Sequence, residues 1–557
     1  MVGSYGWHEV YSLGDLLARA AEREPDGLAV VLPQERVTYR ELEDGSMRLA
    51  RSLASLGVVK GSHVGILMSN CVAYLETFFG VAMLGAVVVP INNRLHPREL
   101  GHVLADSDVE VLVTGRVDDR DTDYAARLHE ALPGLATATR PASLALSEFP
   151  RLRAVVTVTG AAAPGLLDGA ACAALAERTP PAEIMTRRMR VAVRDVALMM
   201  YTSGTTRAPV GCPLTHEAVV RTSVVAGRTR FRFQPADRMW DPLPMFHMSA
   251  ILPLIGVIDA GAAFLSMTHF EPGQALEMMD TEGATLSFAT FPAFTQALLN
   301  HPDYDPDRWQ HIRLINNVAP PDVLGDMQAR MPHTVQISAY GCSECSGVTA
   351  FNEPGDTLQQ RCTTSGRPFD GIEVGIRDLE SRQPLGTGQR GEIVVRGYCL
   401  FEGYYKNPEK TAAQMDGDGW FYTGDVGELD DEGRISYLGR TKDMLKVGGE
   451  NVAAIEIESY LGRHPAVAVS AVVGVPDPKY GEVPAAFVEL RPGHSVTEDE
   501  LVEHCRGGLA RFKVPRQIRF VTEWPMSATK IQKFRLQEQL TRELAQTEDT
   551  ASVGSGG

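Results

Sequence analysis

Two hydrophobic periods alternate along the first half of the chain. Leu13, Leu16, Leu17, Ala20 and Ala21 recur at helical spacing. Thr38 and Glu41 stand at capping-box spacing ahead of Leu42, Leu49, Leu53 and Leu56, and Gly57 is placed to end that helix. His63–Met68 then reads as a buried strand, Tyr74–Leu84 as a helix, and Ala86–Pro90 and Val109–Val113 as further strands. Strands alternating with helices predict a parallel sheet covered on both faces. Residues 116–193 are rich in Ala, Arg, Asp and Pro and read as helix fragments and surface loops. Ala197–Tyr201 is a short apolar strand running into a polar turn, and the alternation resumes from Phe231 to Gln336. Beyond Thr364 the texture changes to short β-rich pieces such as Glu392–Arg396. Past Arg440, helix patterns over Ile455–Leu461 and Glu498–Leu509 and strand patterns over Val467–Val473 and Ala485–Leu490 predict a small α+β unit. Gln546–Gly557 reads as disordered. The expected class is α/β, with a large multi-subdomain N-terminal part and a small C-terminal one.

The chain has 557 residues, and at roughly 150 residues per domain two to four structural units are expected. Its 53 basic and 70 acidic side chains leave a net charge of −17. That argues against a general nucleic-acid or anionic-membrane binder, whose affinity would come from Lys and Arg. The longest apolar stretch, Phe78–Ile91, is broken by Gly80, Gly85 and Pro90 and is too short to span a membrane. Met1–Asp15 has no basic segment followed by an apolar one, so no signal peptide is expected. The eight cysteines are scattered, with one CxxC pair, Cys342 and Cys345, and no second pair or His cluster to complete a zinc site. Reduced thiols and a cytoplasmic location are the expectation.

Two motifs match familiar patterns only by letter. Gly386–Gly391 fits GxGxxG, but a strand follows it where a dinucleotide site needs a helix, so it reads as a turn. Gly341–Cys345 falls one residue short of the GxSxG elbow of serine hydrolases. The run Tyr201-Thr-Ser-Gly-Thr-Thr-Arg-Ala-Pro-Val-Gly211 carries more chemistry. Four hydroxyls around Gly204, just after a strand, offer donors to phosphate oxygens. Taken alone, such a run is more often a plain polar turn.

Further motifs follow it in order: Pro244-Met-Phe-His247, Tyr340-Gly-Cys-Ser-Glu344, Gly391-Glu-Ile-Val-Val-Arg-Gly397, Trp420-Phe-Tyr-Thr-Gly-Asp425, Gly439-Arg-Thr-Lys-Asp-Met-Leu-Lys446-Val-Gly-Gly449 and Ser527-Ala-Thr-Lys530. With this set, spread over nearly the whole chain, the sequence resembles the adenylate-forming superfamily of acyl-CoA synthetases, aryl-CoA ligases, luciferases and peptide-synthetase adenylation domains. The resemblance implies an N-terminal domain over 1–440 and a mobile C-terminal domain over 441–557. It also implies two half-reactions: a carboxylate attacks the α-phosphate of ATP to give acyl-AMP, then a thiol, commonly CoA, attacks the adenylate.

Carried over by position, Thr202, Ser203, Gly204, Thr205 and Thr206 would cradle the phosphates. Tyr340, Gly341 and Ser343 would line the nucleotide. Glu344 would bind Mg²⁺ as a hard oxygen ligand. Asp425 would accept the ribose hydroxyls, with Arg440 beside it. Lys442 would lie at the domain hinge, and Lys530 would neutralise charge near the α-phosphate. His247 would gate the acyl pocket, and Lys446 would join the catalytic set. Gly448 and Gly449 would let the pantetheine arm of CoA pass. An amino-acid substrate would need an acidic anchor in the acyl region, where the resemblance places Asp241 and Phe288–Phe294. The apolar Phe288, Phe291 and Phe294 suit a bulky hydrophobic acid and equally suit core packing.

The sequence departs from the family pattern where the phosphate loop usually reads TSGTTG-x-PKG. Arg207 replaces the last Gly of the first group and Val210 replaces the Lys, while the adenine-contacting Gly-Gly-Ala-Pro becomes Asn317-Val-Ala-Pro320. Either the Arg207 guanidinium reaches the phosphates in place of the missing ammonium, or ATP activation is weak. The reading favoured here is impaired adenylation with thioester formation kept, so that the protein takes preformed acyl-AMP, supplied by an adenylating partner enzyme, and transfers the acyl group to CoA. The alternatives are a complete ATP-dependent synthetase, a stand-alone adenylating enzyme loading a carrier protein, and a catalytically dead adenylate-binding module.

Overall fold

The computed structural model describes residues 10–118, 120–202, 209–447, 450–477, 480–527 and 530–554. They divide into two compact units, residues 1–374 with 395–421 and residues 375–394 with 422–557.

The first unit is built on two large sheets flanked by helices. One has six strands in the order Ala154–Thr159, Val111–Gly115, His63–Leu67, Val87–Pro90, Val196–Thr202, Val210–Thr215. All its neighbours run parallel except the last pair, which is an antiparallel hairpin with Thr202 opposite Val210. The other has seven strands, from Val335–Ile337 through Leu314–Asn317, Leu286–Thr290, Arg238–Trp240, Ala263–Leu265 and Leu28–Leu32 to Glu35–Thr38, parallel until the final hairpin. The near-continuous apolar strands of the first half thus have both faces covered, as their sequence predicts. Thr38 and Glu41 form the expected capping box on helix Tyr39–Ser55, and Gly57 follows with φ of 83°. Left-handed backbone of that kind suits a residue without a Cβ.

Two segments correct the sequence reading. Ala154–Thr159 lies within the stretch expected to be loops and helix fragments, yet it is a full edge strand pairing parallel with Val111–Gly115, in register from Val111 opposite Ala154 to Thr114 opposite Thr157 and shifted by one residue at its end. Its β-branched run, Val-Val-Thr-Val-Thr, carries strand propensity that the surrounding Ala- and Arg-rich composition obscures. The C-terminal helix runs Lys533–Gly554 and so continues through most of the segment read as disordered. Leu536 and Leu540 anchor its start against Ala471, Val473 and Phe487, and extending a nucleated helix adds one hydrogen bond per residue fixed.

The second unit carries a five-stranded sheet in which Val467–Asp477 and Gly481–Leu490 form a long antiparallel pair, with Gln517–Phe520 parallel to the latter. Helices Ala454–Gly462 and Glu498–Arg506 pack Ile457, Leu461, Leu501 and Cys505 into one face of this core. The GxGxxG letters Gly386–Gly391 do lead directly into strand Gly391–Gly397, with no helix after them.

Candidate active site

In the first unit the phosphate-loop motif is carried by the hairpin of Val196–Thr202 and Val210–Thr215. Ser203, Gly204, Thr205, Thr206 and Arg207 lie outside the described residues, whereas both flanks of the loop are described. The Thr202 hydroxyl is buried with no partner among the described residues. Val210, where the family pattern has Lys, starts the returning strand and pairs with Thr202. The neighbouring Tyr201 hydroxyl donates to Asp106 at 2.6 Å, which ties the hairpin to helix Pro97–Asp106.

The Tyr340–Glu344 motif forms a tight turn. Strand Ala339–Tyr340 leads into a single 3₁₀ turn, Ser343–Cys345. The Cys342 carbonyl accepts the Cys345 N–H at 3.0 Å and the Gly347 N–H at 2.9 Å. A Cβ on Gly341 would stand 2.4 Å from the Gly347 carbonyl oxygen and from the Val348 Cα. Because both are backbone atoms, only glycine fits. This turn presents Glu344, whose carboxylate accepts the Tyr404 hydroxyl at 2.9 Å while its own carbonyl accepts the Phe401 N–H at 2.9 Å. Burial, and then the Glu344 charge, pushes the Tyr404 hydroxyl well above its ordinary range and keeps it the donor. Lys410 places its ammonium 3.9 Å from the centre of the Tyr404 ring. Burial lowers that ammonium and the Glu344 charge opposes the shift. Glu344 is therefore fixed at two points and half-exposed, a geometry that suits a carboxylate ligand to a hard cation. Tyr404 and Lys410 are neighbours of Glu344 that motif spacing does not reveal. The hydroxyl reaches Glu344 from sixty positions along the chain, so no local pattern announces it.

His247 precedes helix Met248–Ala260, and its ring packs against Phe246 at 4.6 Å between centres. Asn317 is fully buried at the end of its parallel strand, accepting from Thr295 at 2.6 Å and donating to Gln336 at 2.9 Å. Phe288 is fully buried against Phe231 and Phe351, whereas Phe294 packs edge-on to Phe270. Phe288 is thus a core residue. Asp241 is also fully buried, with one oxygen accepting the Leu243 N–H at 2.7 Å. Burial holds its carboxyl well above the usual carboxylate range. Burial that disfavours the charged form in this way makes Asp241 a poor anchor for a substrate ammonium.

In the second unit, strands Phe421–Leu429 and Ile435–Arg440 pair antiparallel and bring Asp425 opposite Arg440. The Arg440 Nε lies 2.8 Å from Asp425 Oδ1, and Asp425 is almost fully buried. Thr423 helps orient it, because its hydroxyl donates to the Ile393 carbonyl at 2.7 Å and accepts the Asp425 N–H at 3.1 Å. Lys442 follows within the 3₁₀ turn Thr441–Asp443, where the Thr441 hydroxyl donates to the Gly424 carbonyl at 2.7 Å. Lys446 is exposed, and its backbone N–H donates to Glu482 at 2.7 Å. Lys530 pairs with Ser527 in a two-residue hairpin, and its side chain lies outside the described atoms. Gly448 and Gly449 lie outside the described residues.

Comparison with known proteins gives this arrangement its class. The family model for AMP-binding enzymes matches residues 17–405, and that for their C-terminal domain matches 456–530. The chain belongs to this family, the adenylate-forming superfamily, on its acyl-CoA synthetase and ligase branch. It is 34% identical to the YngI protein of Bacillus subtilis over 95% of this chain and 96% of that one. The mitochondrial medium-chain acyl-CoA ligase ACSF2 of Rattus norvegicus is 31% identical over 96% of this chain and 88% of its own. Among solved structures, the anthranilate CoA ligase AuaEII with anthranoyl-AMP aligns with a TM-score of 0.82 at 26% identity, covering 97% of this chain and 99% of that one.

Proposed function

We propose that this enzyme forms acyl-CoA thioesters from an apolar carboxylic acid by way of an acyl-adenylate, and that its adenylation half-reaction is weaker than its transfer half-reaction. Val210 carries the second part of this reading. At the mouth of the phosphate hairpin it offers a methyl-bearing side chain where the family pattern supplies a cation to departing pyrophosphate. Loss of one charge-assisted contact in a transition state costs roughly 1.5–3 kcal/mol, about 10- to 100-fold in rate. The apolar class of acid rests on the medium-chain acyl-CoA ligases among the relatives and on the full burial of Asp241, which disfavours its charged form.

In this reading Glu344, held by Tyr404, is the protein ligand to a Mg²⁺ ion, which would supply positive charge to the nucleotide phosphates. Asp425 accepts the ribose hydroxyls and Arg440 fixes the carboxylate for that task. Lys530 stabilises charge on the α-phosphate and the acyl carboxylate, and Lys446 belongs to the same set. His247 guards the acyl entrance, Lys442 marks the hinge of a C-terminal cap, and Gly448 with Gly449, by their lack of a Cβ, are assigned to the passage of the thiol substrate. The test is a panel of acids supplied with ATP and, separately, as synthetic adenylates, with CoA or a carrier protein as acceptor. Thioester from acyl-AMP and CoA at a rate well above that from acid and ATP is expected. Brisk acid-dependent pyrophosphate release, matching the transfer rate, overturns the weakened half-reaction.

A further inference from the structure

Half of the cysteines in the chain gather around the turn that presents Glu344. The Sγ atoms of Cys342 and Cys345 lie 3.5 Å apart. The Cys345 thiol also interacts with Cys399, and Cys212 sits close enough to feel the charges of Glu344 and Cys342. Cys345, Cys399 and Cys212 are fully buried, whereas Cys342 is half-exposed. The hydrogen bond from the Cys345 N–H to the Cys342 carbonyl, 3.0 Å long, is the closing bond of a four-residue turn. Such turns hold their end Cα atoms within about 7 Å, and disulfides span Cα distances of about 4.4–6.8 Å. The pair is therefore preset for cross-linking without rearrangement of the chain outside the turn.

We propose that Cys342 and Cys345 form a redox modification site, and that a peroxide converts them to a disulfide that displaces Glu344. The Cys342 sulfur attacks the peroxide as its thiol gives up a proton, an S–O bond forms, the O–O bond breaks, and the departing hydroxide takes that proton and leaves as the first water. The Cys345 sulfur then attacks the Cys342 sulfenic acid. The S–S bond forms, the S–O bond breaks, and the departing hydroxide takes the Cys345 proton as a second water. Two thiols and one peroxide thus give one disulfide and two waters.

The division of roles follows from position. Cys342 is the sulfur a solvent-borne oxidant meets. Cys345 is fully buried behind it with its sulfur 3.5 Å from that of Cys342, so it meets the oxidant only through Cys342. Closing the sulfurs from 3.5 Å to about 2.05 Å tightens the turn on both sides of Glu344. Its carboxylate and carbonyl are pinned from outside the turn by Tyr404 and Phe401, and the proposed displacement is the loss of one of these two anchors. The consequence for ATP use rests on the Mg²⁺ role proposed for Glu344, whereas the modification itself does not.

The test treats the prereduced full-length protein with hydrogen peroxide, maps thiols by alkylation and peptide mass, and follows ATP-dependent thioester formation. Expected are the loss of two hydrogens within the peptide carrying Cys342 and Cys345, and a fall in ATP-dependent rate of roughly 10-fold or more that dithiothreitol reverses. Cys342→Ser and Cys345→Ala should keep the untreated rate and resist peroxide. The proposal is overturned if both thiols remain alkylatable, if Cys342 advances to sulfinic acid beside an intact Cys345, if Cys345 bonds to Cys399 instead, or if the variants lose activity as the parent does. A disulfide that changes neither the rate nor amide exchange over Ser343–Gly347 also overturns it. If no acid and ATP yield thioester, amide exchange over Ser343–Gly347 still decides. Oxidation should change it in the parent and not in Cys342→Ser, and an unchanged pattern in the parent rejects the displacement of Glu344.

Discussion

At the scale of single residues, the proposed chemistry turns on how two carboxylates are held. Glu344 keeps its place through the Tyr404 hydroxyl, so Tyr404→Phe should raise the Mg²⁺ needed for half-maximal ATP-dependent product about 10-fold. Transfer from synthetic acyl-AMP should be unchanged, and a metal titration of both rates checks the split. Gly341 has no room for a Cβ, so Gly341→Ala should abolish ATP-dependent turnover while leaving Asp425 and its strand pair intact, as read by amide exchange over Phe421–Arg440. At the phosphate loop, Val210→Lys with Arg207→Gly should raise acid-dependent pyrophosphate release about 10- to 100-fold. That substitution was legible in the sequence, because an absent lysine shows against a motif. Tyr404 and Lys410 were not legible. Their partner is far away in the chain, and a side-chain contact across such a distance leaves no periodicity behind.

At the scale of elements, the strongest local signals coincide with the observed structure. Thr38 and Glu41 satisfy each other's backbone donors at the start of helix Tyr39–Ser55, and Thr38→Ala should lower stability by about 1 kcal/mol, measured as a lower urea midpoint. The strand Ala154–Thr159 was obscured because its place at a sheet edge depends on the partner Val111–Gly115, not on its own flanks. The final helix was underestimated for a related reason. Leu536 and Leu540 are fully buried only because a sheet from earlier in the chain receives them. Leu540→Ala should therefore cost roughly 2–5 kcal/mol, seen as earlier unfolding of the second unit.

At the scale of the whole molecule, buried ionisable groups set the pH response. His216 is fully buried, its Nδ1 accepts the Leu13 N–H at 3.1 Å, and burial lowers its pKa from 6.5 to about 4. The neutral ring is the form that fits, so the unfolded chain takes up a proton first as pH falls. The stability this residue contributes is complete above 6.5 and is lost as pH falls towards about 4, at up to about 1.4 kcal/mol per pH unit. His216→Gln should flatten thermal stability over that window. The sequence alone determined the α/β class, the helix caps and the ordered motifs of an AMP-binding enzyme, because each is written in neighbouring residues or in fixed spacing. Only the tertiary structure decided which side chain holds Glu344, that Asp241 is buried away from solvent, that Phe288 belongs to the core, and that Cys342 and Cys345 meet beside the turn. Those properties depend on burial and on contacts between distant segments, which exist only once the chain has folded.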